Sequence, residues 1–463
     1  MKNGRVTLLG AGPGDPELLT LLGKRRLQEA DVVLYDRLVD PSLLAFTSDQ
    51  ARLINVGKYP HHHRVKQGQI NQFLVQYAKQ GQRVVRLKAG DPYVFGRGGE
   101  EAQALAKQGI NFEVIPGITS AIAGLGAVGI PITHRDYASS FHVITGHHKK
   151  DGHQLDWSNI AHQEGTLVFL MGMAELPTIC QQLITNGKDP ATPAAVVQWA
   201  TQWRQRMVTA DLKTITEAVN QHHIGAPALI VIGPVVKLSA ELWIPRPLAG
   251  IHLLVPNSRG HRLYNALTDL GATADFYVRA PKVGQPVEIK HLDHYSTILV
   301  DSSAAFDFFT QQLVKSGDDL RTLAGKNIVA KNSVVARMLA KRGVIANQVL
   351  PAKLPGATLE LGSEHPLFNG AFLDLYHKGP VRSHLPFNLA EFNAVVFPSN
   401  DSLADFISAL DEQQQDQLQD LCAFTMGDSI KQAALEAGFH DVISCPPKIA
   451  ATVSAVKRRF SDD

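Results

Sequence analysis

The sequence contains few of the residues that cross-link, embed or strongly charge a protein. Its three cysteines, Cys180, Cys422 and Cys445, lie far apart with no Cys-x-x-Cys pair, which excludes a disulfide-stabilised secreted fold and a cysteine zinc site. No uninterrupted apolar stretch approaches the ~18 residues of a membrane-spanning helix, and no charged segment followed by an apolar core opens the chain. We therefore expect a cytoplasmic protein with no membrane partner.

Positive and negative charges are nearly balanced. The formal net charge of +2 argues against a nucleic-acid-binding stripe and against an acidic tail, so an anionic ligand must be met by local cations. A content of 44% hydrophobic and 19% charged residues is that of an ordinary globular protein. At 463 residues the chain is too long for one hydrophobic core and predicts two or three domains.

Strand-like hydrophobic runs alternate with amphipathic stretches such as 70–79 and 100–107, which predicts an α/β fold. The runs of the first half are residues 32–35, 84–87, 112–115, 141–145, 167–171, 194–197 and 228–232. Two prolines, Pro245 and Pro247, then interrupt the pattern before a new run at 251–255. We place a domain boundary there, giving domains 1–245 and 246–463.

The second half repeats one theme of strand, Ser-containing turn and helix. The strand-like runs are residues 298–300, 328–330, 394–397 and 423–425. This repetition predicts two similar α/β lobes, with Ser or Asp capping helices at strand ends. Ligands in such folds bind at those ends.

The first strand-like run, 5–9, leads straight into a Gly/Pro loop at residues 10–16. Glycines beside prolines predict a rigid loop whose backbone lies open to a closely approaching ligand, and therefore a cofactor pocket. A dinucleotide site would need a third glycine and backbone amides that the prolines remove. This disfavours a dinucleotide-dependent oxidoreductase, and a plain tight turn is the remaining alternative.

The opening loop and five further segments together resemble the tetrapyrrole methylase family, and within it the uroporphyrinogen-III C-methyltransferases. The resemblance runs from residue 5 to about residue 240. The segments are residues 35–38, Gly57-Lys58 with His63, Gln67, Ile70 and Asn71, residues 86–101, residues 116–120 and residues 129–135.

The resemblance implies transfer of methyl groups from S-adenosylmethionine to C2 and C7 of uroporphyrinogen III. The product would be precorrin-2, for cobalamin or sirohaem synthesis, and the family pairs as a homodimer through its first domain. An electron-rich pyrrole carbon attacks the sulfonium methyl in line, so holding both reactants and excluding water outweigh acid-base chemistry. Loss of a proton from the macrocycle leaves a limited role for a carboxylate and an ammonium group.

By position, Asp36 matches the family's proton acceptor and Lys58 its proton donor. The alternatives are a helix cap or an ion pair with Arg37 for Asp36, and a surface lysine or a carboxylate clamp for Lys58. The resemblance places the cofactor against small residues, hydroxyls and one soft apolar side chain, although core packing is the alternative for the last. These residues are Pro13, Ala89, Gly90, Asp91, Val94, Thr119, Ser120, Met171 and Ala200.

Three positions depart from the family pattern: Ala89 replaces a glycine, Tyr59 an arginine and Gly68 a glutamate. They bear on cofactor fit and substrate affinity more than on reaction type. A substrate with many carboxylates needs cations, and Arg suits bidentate binding of carboxylates, although each cation singly could serve a structural ion pair. The candidates are Arg37, Lys58, Lys88, Arg97, His134 and Arg135.

Adjacent histidines occur at 61–63, 147–148 and 222–223. Neighbouring histidines in a loop rarely converge on one ion, no acidic or Cys partner is spaced for it, and methyl transfer needs no metal. We therefore expect no metal.

From Leu248 onward the chain resembles the uroporphyrinogen-III synthase family, through residues 255–259, 300–303, 397–400 and 426–429. That family cyclises hydroxymethylbilane, with inversion of its last ring, to the substrate of the first half. Binding hydroxyls would be Ser302, Ser303, Ser399 and Ser429, unless they only cap helices, and a tyrosine would assist departure of the hydroxyl. A turn Lys331-Asn332-Ser333 replaces the usual Gly-Thr, and residues 361–386 lack a clear strand-helix unit. A catalytically degenerate porphyrinogen-binding module is therefore the alternative.

Overall fold

The computed structural model describes residues 4–48, 50–57, 65–146, 155–258, 260–277, 279–351, 353–379 and 388–461. Strands and helices alternate throughout, which confirms the predicted α/β character. The chain divides into two compact units. The first comprises Met1–Tyr277, Pro386–Leu403 and Glu412–Asp463, and the second comprises Val278–Leu385 and Ala404–Asp411. The first unit runs through residue 246, and the domain boundary placed there stays a prediction.

The first sheet of the first unit is wholly parallel, in the order β3-β2-β4-β1-β5. Its central strands are rich in Val and Leu because helices cover both faces. Successive side chains point to opposite faces, so Leu8 joins one core cluster and Leu9 the other. The elements are β1 (Arg5–Gly10), α1 (Leu21–Glu29), β2 (Val32–Tyr35), β3 (Arg52–Asn55), α2 (Gln67–Lys79), β4 (Arg83–Lys88), α3 (Gly98–Lys107), β5 (Asn111–Ile115) and α4 (Ser120–Gly126).

The second sheet is mixed, in the order β6-β7-β10-β8-β9, and only its β6-β7 pair is parallel. Helix α4 packs on this sheet through Ala121 and Leu125. The elements are β6 (Phe141–Thr145), α5 (Trp157–His162), β7 (Thr166–Leu170), α6 (Leu176–Thr185), β8 (Pro193–Gln198), β9 (Arg206–Asp211), α7 (Ile215–Gln221), β10 (Ala228–Ile232) and α8 (Ser239–Leu242).

The rest of the chain forms two further parallel sheets of five strands and a two-stranded ribbon. The elements are β11 (His252–Pro256), α9 (Arg262–Thr268), β12 (Thr273–Tyr277), β13 (Lys282–Gly284), β14 (Thr297–Val300), α10 (Ser303–Lys315), β15 (Asn327–Ala330), α11 (Ser333–Ala340), β16 (Gln348–Val349), β17 (Thr358–Gly362), β18 (Ala371–Asp374), β19 (Tyr376–Lys378), β20 (Ala394–Phe397), α12 (Asn400–Ser408), α13 (Glu412–Asp416), β21 (Cys422–Thr425), α14 (Asp428–Glu436), β22 (Val442–Ser444) and α15 (Ile449–Phe460).

The third sheet, in the first unit, has the order β12-β11-β20-β21-β22, so its strands come from two separate stretches of chain. The fourth sheet, in the second unit, has the order β16-β15-β14-β17-β18, and β13 pairs antiparallel with β19. The chain therefore leaves the third sheet after β12, builds the whole fourth sheet and then returns at β20. Strands β17 to β19 follow one another without an intervening helix, which accounts for the missing strand-helix unit after residue 361.

Polar side chains cap the helices after two turns of the second half, one of them the predicted serine and the other an asparagine. Ser302 caps α10, because its hydroxyl accepts the Ala305 amide at 3.1 Å. Asn332 caps α11, because its side-chain oxygen accepts two amides of the first turn. The unusual Lys-Asn-Ser turn therefore still begins a helix in the normal way. None of the described helices is long and apolar enough to span a membrane.

Candidate active site

The structure brings all nine predicted cofactor-binding residues around one cavity of about 270 Å³. We call it the strand-end cavity. The nine residues belong to the loops that follow β1, β4, β7 and β8 and to the start of α4. Carboxyl ends of strands are where ligands bind in α/β sheets. The nine residues are Pro13, Ala89, Gly90, Asp91, Val94, Thr119, Ser120, Met171 and Ala200.

The Gly/Pro loop after β1 is packed against protein and not open, contrary to our expectation. A Cβ atom on Gly117 would lie 2.2 Å from the Gly90 carbonyl oxygen and 2.7 Å from the Gly10 Cα. Gly12 and Gly90 also exchange backbone hydrogen bonds of 3.2 and 2.7 Å. The glycines are therefore needed because three loops touch main chain to main chain, and Pro13 is the loop residue that lines the cavity.

Asp91 organises these loops as well as lining the cavity. One of its carboxylate oxygens accepts the Tyr93 amide at 2.8 Å, and the other accepts the Gly117 amide at 3.0 Å. Each oxygen keeps a further lone pair for a ligand. Asp91 therefore fixes the turn that presents Gly90 and its neighbours.

Three bulky residues that line the strand-end cavity have a strained backbone. Phe95, Met171 and Trp199 line it with φ values of 53°, 57° and 47°, in the left-handed region that bulky residues rarely adopt. Such strain clusters at functional sites because the surrounding structure must impose it. Sequence reasoning did not assign Trp199 and most of the apolar wall to the cofactor, although Leu38, Phe95 and Gly96 lie in segments that carry the family resemblance. The residues missed are Leu38, Phe95, Gly96, Leu170, Val197, Trp199, Gln202, Pro227, Ala228 and Leu229.

Asp36 belongs to a network of four charged side chains beneath the ends of β2 and β4. Its Oδ1 accepts a 2.6 Å hydrogen bond from Arg86 Nη2, and its Oδ2 lies 3.9 Å from Lys88 Nζ. Arg86 Nε and Lys88 Nζ both bond Glu101, at 3.1 and 3.3 Å. Gln67 adds a hydrogen bond of 2.9 Å to the same Glu101 oxygen. The alternative in which Asp36 pairs with Arg37 is therefore wrong, and its partners are Arg86 and Lys88.

The strand geometry explains this network. Arg86 and Lys88 are two residues apart on β4, so both point to the face that α3 covers with Glu101. Asp36 directly follows β2, whose Tyr35 pairs with Leu87 of β4. Arg86 and Glu101 are almost fully buried, whereas the Asp36 side chain is 32% exposed. The network pairs two cations with two carboxylates, and it holds the Asp36 carboxylate at the surface.

Lys88 does not belong to an exposed anion pocket. Its side chain is 5% exposed and paired. Burial, and then the neighbouring Arg86, lower the pKa of the Lys88 ammonium, although Glu101 and Asp36 oppose this.

The remaining predicted cations do not form one set around the strand-end cavity. Arg97 begins α3 and pairs with Glu100 at 2.6 Å. Arg135 lines a different cavity, next to α5 and α6, and the ring Nδ1 of His134 accepts the Asp136 amide. Arg37 is exposed beside Leu38, which does line the strand-end cavity.

Lys58, Tyr59 and the histidines 61–63 lie outside the described residues, as do His147 and His148. Gly57 is described, and a Cβ there would lie 2.6 Å from the Arg37 amide nitrogen. The chain therefore passes the Asp36-Arg37 turn immediately before Lys58. His222 and His223 are exposed at the end of α7.

In the second unit, the predicted Ser302 contacts a tyrosine. The Ser302 hydroxyl lies 3.1 Å from the buried Tyr376 hydroxyl, and Lys282 Nζ lies 3.5 Å from that same oxygen. Ser303 is the first residue of α10. The tyrosine was expected from the resemblance without a position, and Tyr376 is the one that the structure sets beside a predicted serine.

The two candidates in the first unit differ in their environment. Ser399 exchanges hydrogen bonds with Ser402, both side chains taking part. Ser429 is exposed in the first turn of α14, and Gly427 occupies the cap position there. The expected Ser or Asp cap is therefore absent from α14.

Comparison with known proteins gives the family. Residues 5–216 match the Tetrapyrrole (Corrin/Porphyrin) Methylases. A uroporphyrinogen-III C-methyltransferase of Bacillus subtilis (strain 168) is 43% identical over 377 residues, which are 80% of this chain and 77% of that protein. The chain belongs to the tetrapyrrole methylase family. A protein of the same name from Priestia megaterium is 51% identical over 237 residues, covering 51% of this chain and 100% of that protein.

The similarity of this tetrapyrrole methylase to the Bacillus protein extends past the methylase region, since residues 5–216 are less than half of the chain. A siroheme synthase of Stutzerimonas stutzeri (strain A1501) is 52% identical over 239 residues, and the chain spans about half of its length (51%). A solved uroporphyrin-III C-methyl transferase of Thermus thermophilus, complexed with S-adenyl homocysteine, is 42% identical. The match covers 51% of this chain and 94% of the Thermus chain, with a TM-score of 0.44.

Proposed function

We propose that the first half is a uroporphyrinogen-III C-methyltransferase that uses S-adenosylmethionine and yields precorrin-2. The observation that carries the proposal is the convergence of nine residues, chosen from sequence alone, on the strand-end cavity. The names of the Bacillus and Priestia relatives support the same activity.

The cavity suits the methyl donor chemically. Ala89, Gly90 and Ala200 leave room for close approach, whereas Met171 and Trp199 offer soft apolar walls for the adenine. The donor supplies an electrophilic methyl group on a sulfonium. The chain's own task is to hold the accepting pyrrole carbon in line with that methyl and to keep water out.

Proton removal from the methylated macrocycle is assigned to Asp36. Arg86 fixes one carboxylate oxygen, and the partial exposure of Asp36 lets the other face a substrate. Lys58, which directly follows Gly57 in the sequence, remains the proposed proton donor. Arg37, Arg97, His134 and Arg135 remain proposed carboxylate contacts.

Calorimetry with S-adenosylhomocysteine and a methylation assay with uroporphyrinogen III test this function. We expect one binding site per chain and a dimethylated product. Val94→Trp should fill the cavity and abolish binding, because Val94 is half-buried at its wall. Val314→Trp, at an exposed position of α10, is the matched control. Absence of both binding and methylation in folded protein refutes the assignment.

We propose that the second half is a uroporphyrinogen-III synthase that cyclises hydroxymethylbilane. Two parallel five-stranded sheets, with Ser302 and Ser399 at strand ends, support it. The Tyr376 hydroxyl, beside Ser302 and Lys282, is the proposed group that assists departure of the substrate hydroxyl. Ser303 and Ser429 remain proposed carboxylate contacts.

Incubation with hydroxymethylbilane, without S-adenosylmethionine, separates this activity from a porphyrinogen-binding role. Uroporphyrin III after oxidation supports the synthase. Uroporphyrin I alone, together with measurable binding of uroporphyrinogen III by the second half, favours the degenerate module. A homodimer is also proposed, and light scattering on the eluted protein tests it.

A further inference from the structure

The loop that joins β8 to β9, residues 199–205, forms one wall of the strand-end cavity, and we call it the β8-β9 loop. Trp199, Ala200 and Gln202 line the cavity from it. Trp199 and Thr201 have φ values of 47° and 69°, in the left-handed region that residues other than glycine rarely adopt. A loop with two such residues keeps its shape only where surrounding contacts impose that shape.

Arg204 makes contacts that hold the two ends of this loop together. Its guanidinium carbon lies 4.8 Å from the centroid of the Trp199 ring and 4.9 Å from that of the Trp203 ring. The face of an indole attracts a cation, and the flat guanidinium group also stacks on it. Arg204 thereby fixes Trp199, the first residue of the β8-β9 loop, against Trp203 near the end of the loop.

The second half of the sequence holds Arg204 in this position. Arg204 Nη2 donates a hydrogen bond of 2.9 Å to Glu391 Oε2. Glu391 ends the short helical turn Leu389–Glu391 before β20, in the same compact unit. His252 Nδ1, on β11, lies 2.9 Å from the Glu391 carbonyl oxygen, and the His252 ring stacks on Trp203 at a centroid distance of 5.1 Å. A chain of contacts therefore runs from the third sheet to the cavity wall.

The Gly/Pro loop after β1 packs against the β8-β9 loop. The Thr201 hydroxyl accepts the Asp15 amide at 3.2 Å. A Cβ atom on Gly14 would lie 2.6 Å from Gln202 Cγ, so the two loops are in direct contact. Pro13 of the Gly/Pro loop lines the cavity as well. A shift of the β8-β9 loop therefore changes two walls of the cavity.

We infer that Arg204 is a positioning residue of the strand-end cavity and that Glu391, from the second half of the sequence, holds it in place. The inference rests on the proposed function of that cavity as the S-adenosylmethionine site. Neither Arg204 nor Glu391 is among the described residues that line the cavity, so each acts through the β8-β9 loop. Because these contacts order the loop before the donor arrives, the donor does not bear the entropic cost of ordering it on binding.

Titration calorimetry of the full chain with S-adenosylhomocysteine tests the inference. Arg204→Met keeps an unbranched side chain and removes the guanidinium, and it should weaken binding about tenfold. Arg204→Lys keeps a cation that can lie over an indole, so it should recover most of that affinity. Arg459→Met is the matched control, because Arg459 lies 5.6 Å from the Phe460 ring centroid and pairs with Asp441, on α15 of the same unit. This control should bind as the parent does.

Glu391→Gln tests the link to the second half separately. The glutamine keeps the length of the side chain and removes its charge, so binding of S-adenosylhomocysteine should weaken about threefold. Asp441→Asn, which removes the charge of the acidic partner of Arg459, is the control and should leave the affinity unchanged.

Steady-state kinetics distinguish positioning from a merely structural role. In Arg204→Met, KM for S-adenosylmethionine should rise about tenfold, whereas kcat and KM for uroporphyrinogen III should stay as in the parent. A loss of folded protein would instead lower kcat and leave both KM values unchanged. That second pattern overturns the inference.

Equal affinity of the parent and Arg204→Met for S-adenosylhomocysteine overturns the inference and leaves the proposed function standing. Equal weakening in Arg204→Met and Arg459→Met also overturns it, because the effect then does not come from the β8-β9 loop. If the parent itself does not bind S-adenosylhomocysteine, the proposed function fails and the inference fails with it.

Discussion

Arg86 Nη2 lies 2.6 Å from Asp36 Oδ1 and so ties the end of β2 to the interior of β4. The guanidinium is 2% exposed and makes further hydrogen bonds to Glu101 and to two backbone carbonyls. Its five donors in a planar fork serve both carboxylates at once, which a lysine cannot do. The hydrogen bond from Arg86 therefore orients the Asp36 carboxylate, the proposed proton acceptor.

Arg86→Lys should lower kcat for methylation about tenfold, a loss of roughly 1.4 kcal/mol in transition-state stabilisation, because Asp36 loses its orientation. KM for S-adenosylmethionine should stay unchanged, since the strand-end cavity is untouched. Steady-state kinetics with uroporphyrinogen III measure both. Arg83→Lys is the control, because Arg83 lies on the same strand as Arg86 and also pairs with an aspartate, Asp31, but is half exposed. Equal kcat values for the two variants contradict the positioning role.

Gly117→Ala should destabilise the first unit by about 3 kcal/mol or more, because its Cβ would overlap the Gly90 carbonyl and the Gly10 backbone. Denaturant unfolding followed by tryptophan fluorescence measures it. Gly68→Ala is the control: it lies in α2 with nothing within 4 Å of the added Cβ, and alanine there should stabilise by up to ~1 kcal/mol. An unchanged transition in Gly117→Ala would show that the three loops can separate.

Asp40→Asn should make the first unit less sensitive to pH. Burial, and then the neighbouring Asp275 carboxylate, raise the pKa of Asp40 to about 8. The folded state therefore holds a proton that the unfolded state has lost, so stability falls as pH rises from about 4 to 8, and the loss is complete above 8.

The asparagine can still accept the Ser42 amide, which Asp40 now accepts at 2.9 Å. We expect a Tm higher by roughly 2–4 °C at pH 9 and little change at pH 4, measured by calorimetric melting. Asp189→Asn is the control, because Asp189 accepts the Ala191 amide in the same way but is exposed. A parallel shift at both pH values would point to another cause.

Tyr376→Phe should reduce uroporphyrinogen III formation from hydroxymethylbilane at least tenfold, since the hydroxyl beside Ser302 and Lys282 is removed. Methylation of supplied uroporphyrinogen III should be unchanged. Tyr295→Phe, in the same core cluster, is the control. Full synthase activity in Tyr376→Phe would move the leaving-group role elsewhere.

The sequence predicted the buried strands well but missed two of the edge strands. The runs at 32–35 and 228–232 coincide with β2 and β10, because buried strands read as continuous apolar segments, and the run at 141–145 coincides with the edge strand β6. β3 and β9 were missed, since both are edge strands with largely exposed side chains. Each pairs only with the strand that precedes it in the chain, β2 and β8 respectively.

The candidate site shows the same division. Motif residues converge on the strand-end cavity, whereas Trp199 and the Arg86-Glu101 pair were not predicted. Two cations on a buried strand and a carboxylate in a facing helix are unusual enough to suggest a buried ion cluster. The glycines of the opening loop were understood as room for a ligand, but they provide room for other loops. Local sequence cannot tell these two uses of a missing side chain apart.

The return of the chain at β20 has a consequence for synthesis on the ribosome. The first two sheets consist of strands that emerge in one uninterrupted stretch, and so does the core of the fourth. β11 and β12 emerge early, yet β20, the second strand that pairs with β11, is translated only after the whole fourth sheet. The half-finished third sheet then carries an unpaired strand flank on the nascent polypeptide, where mispairing and chaperone capture are most expected.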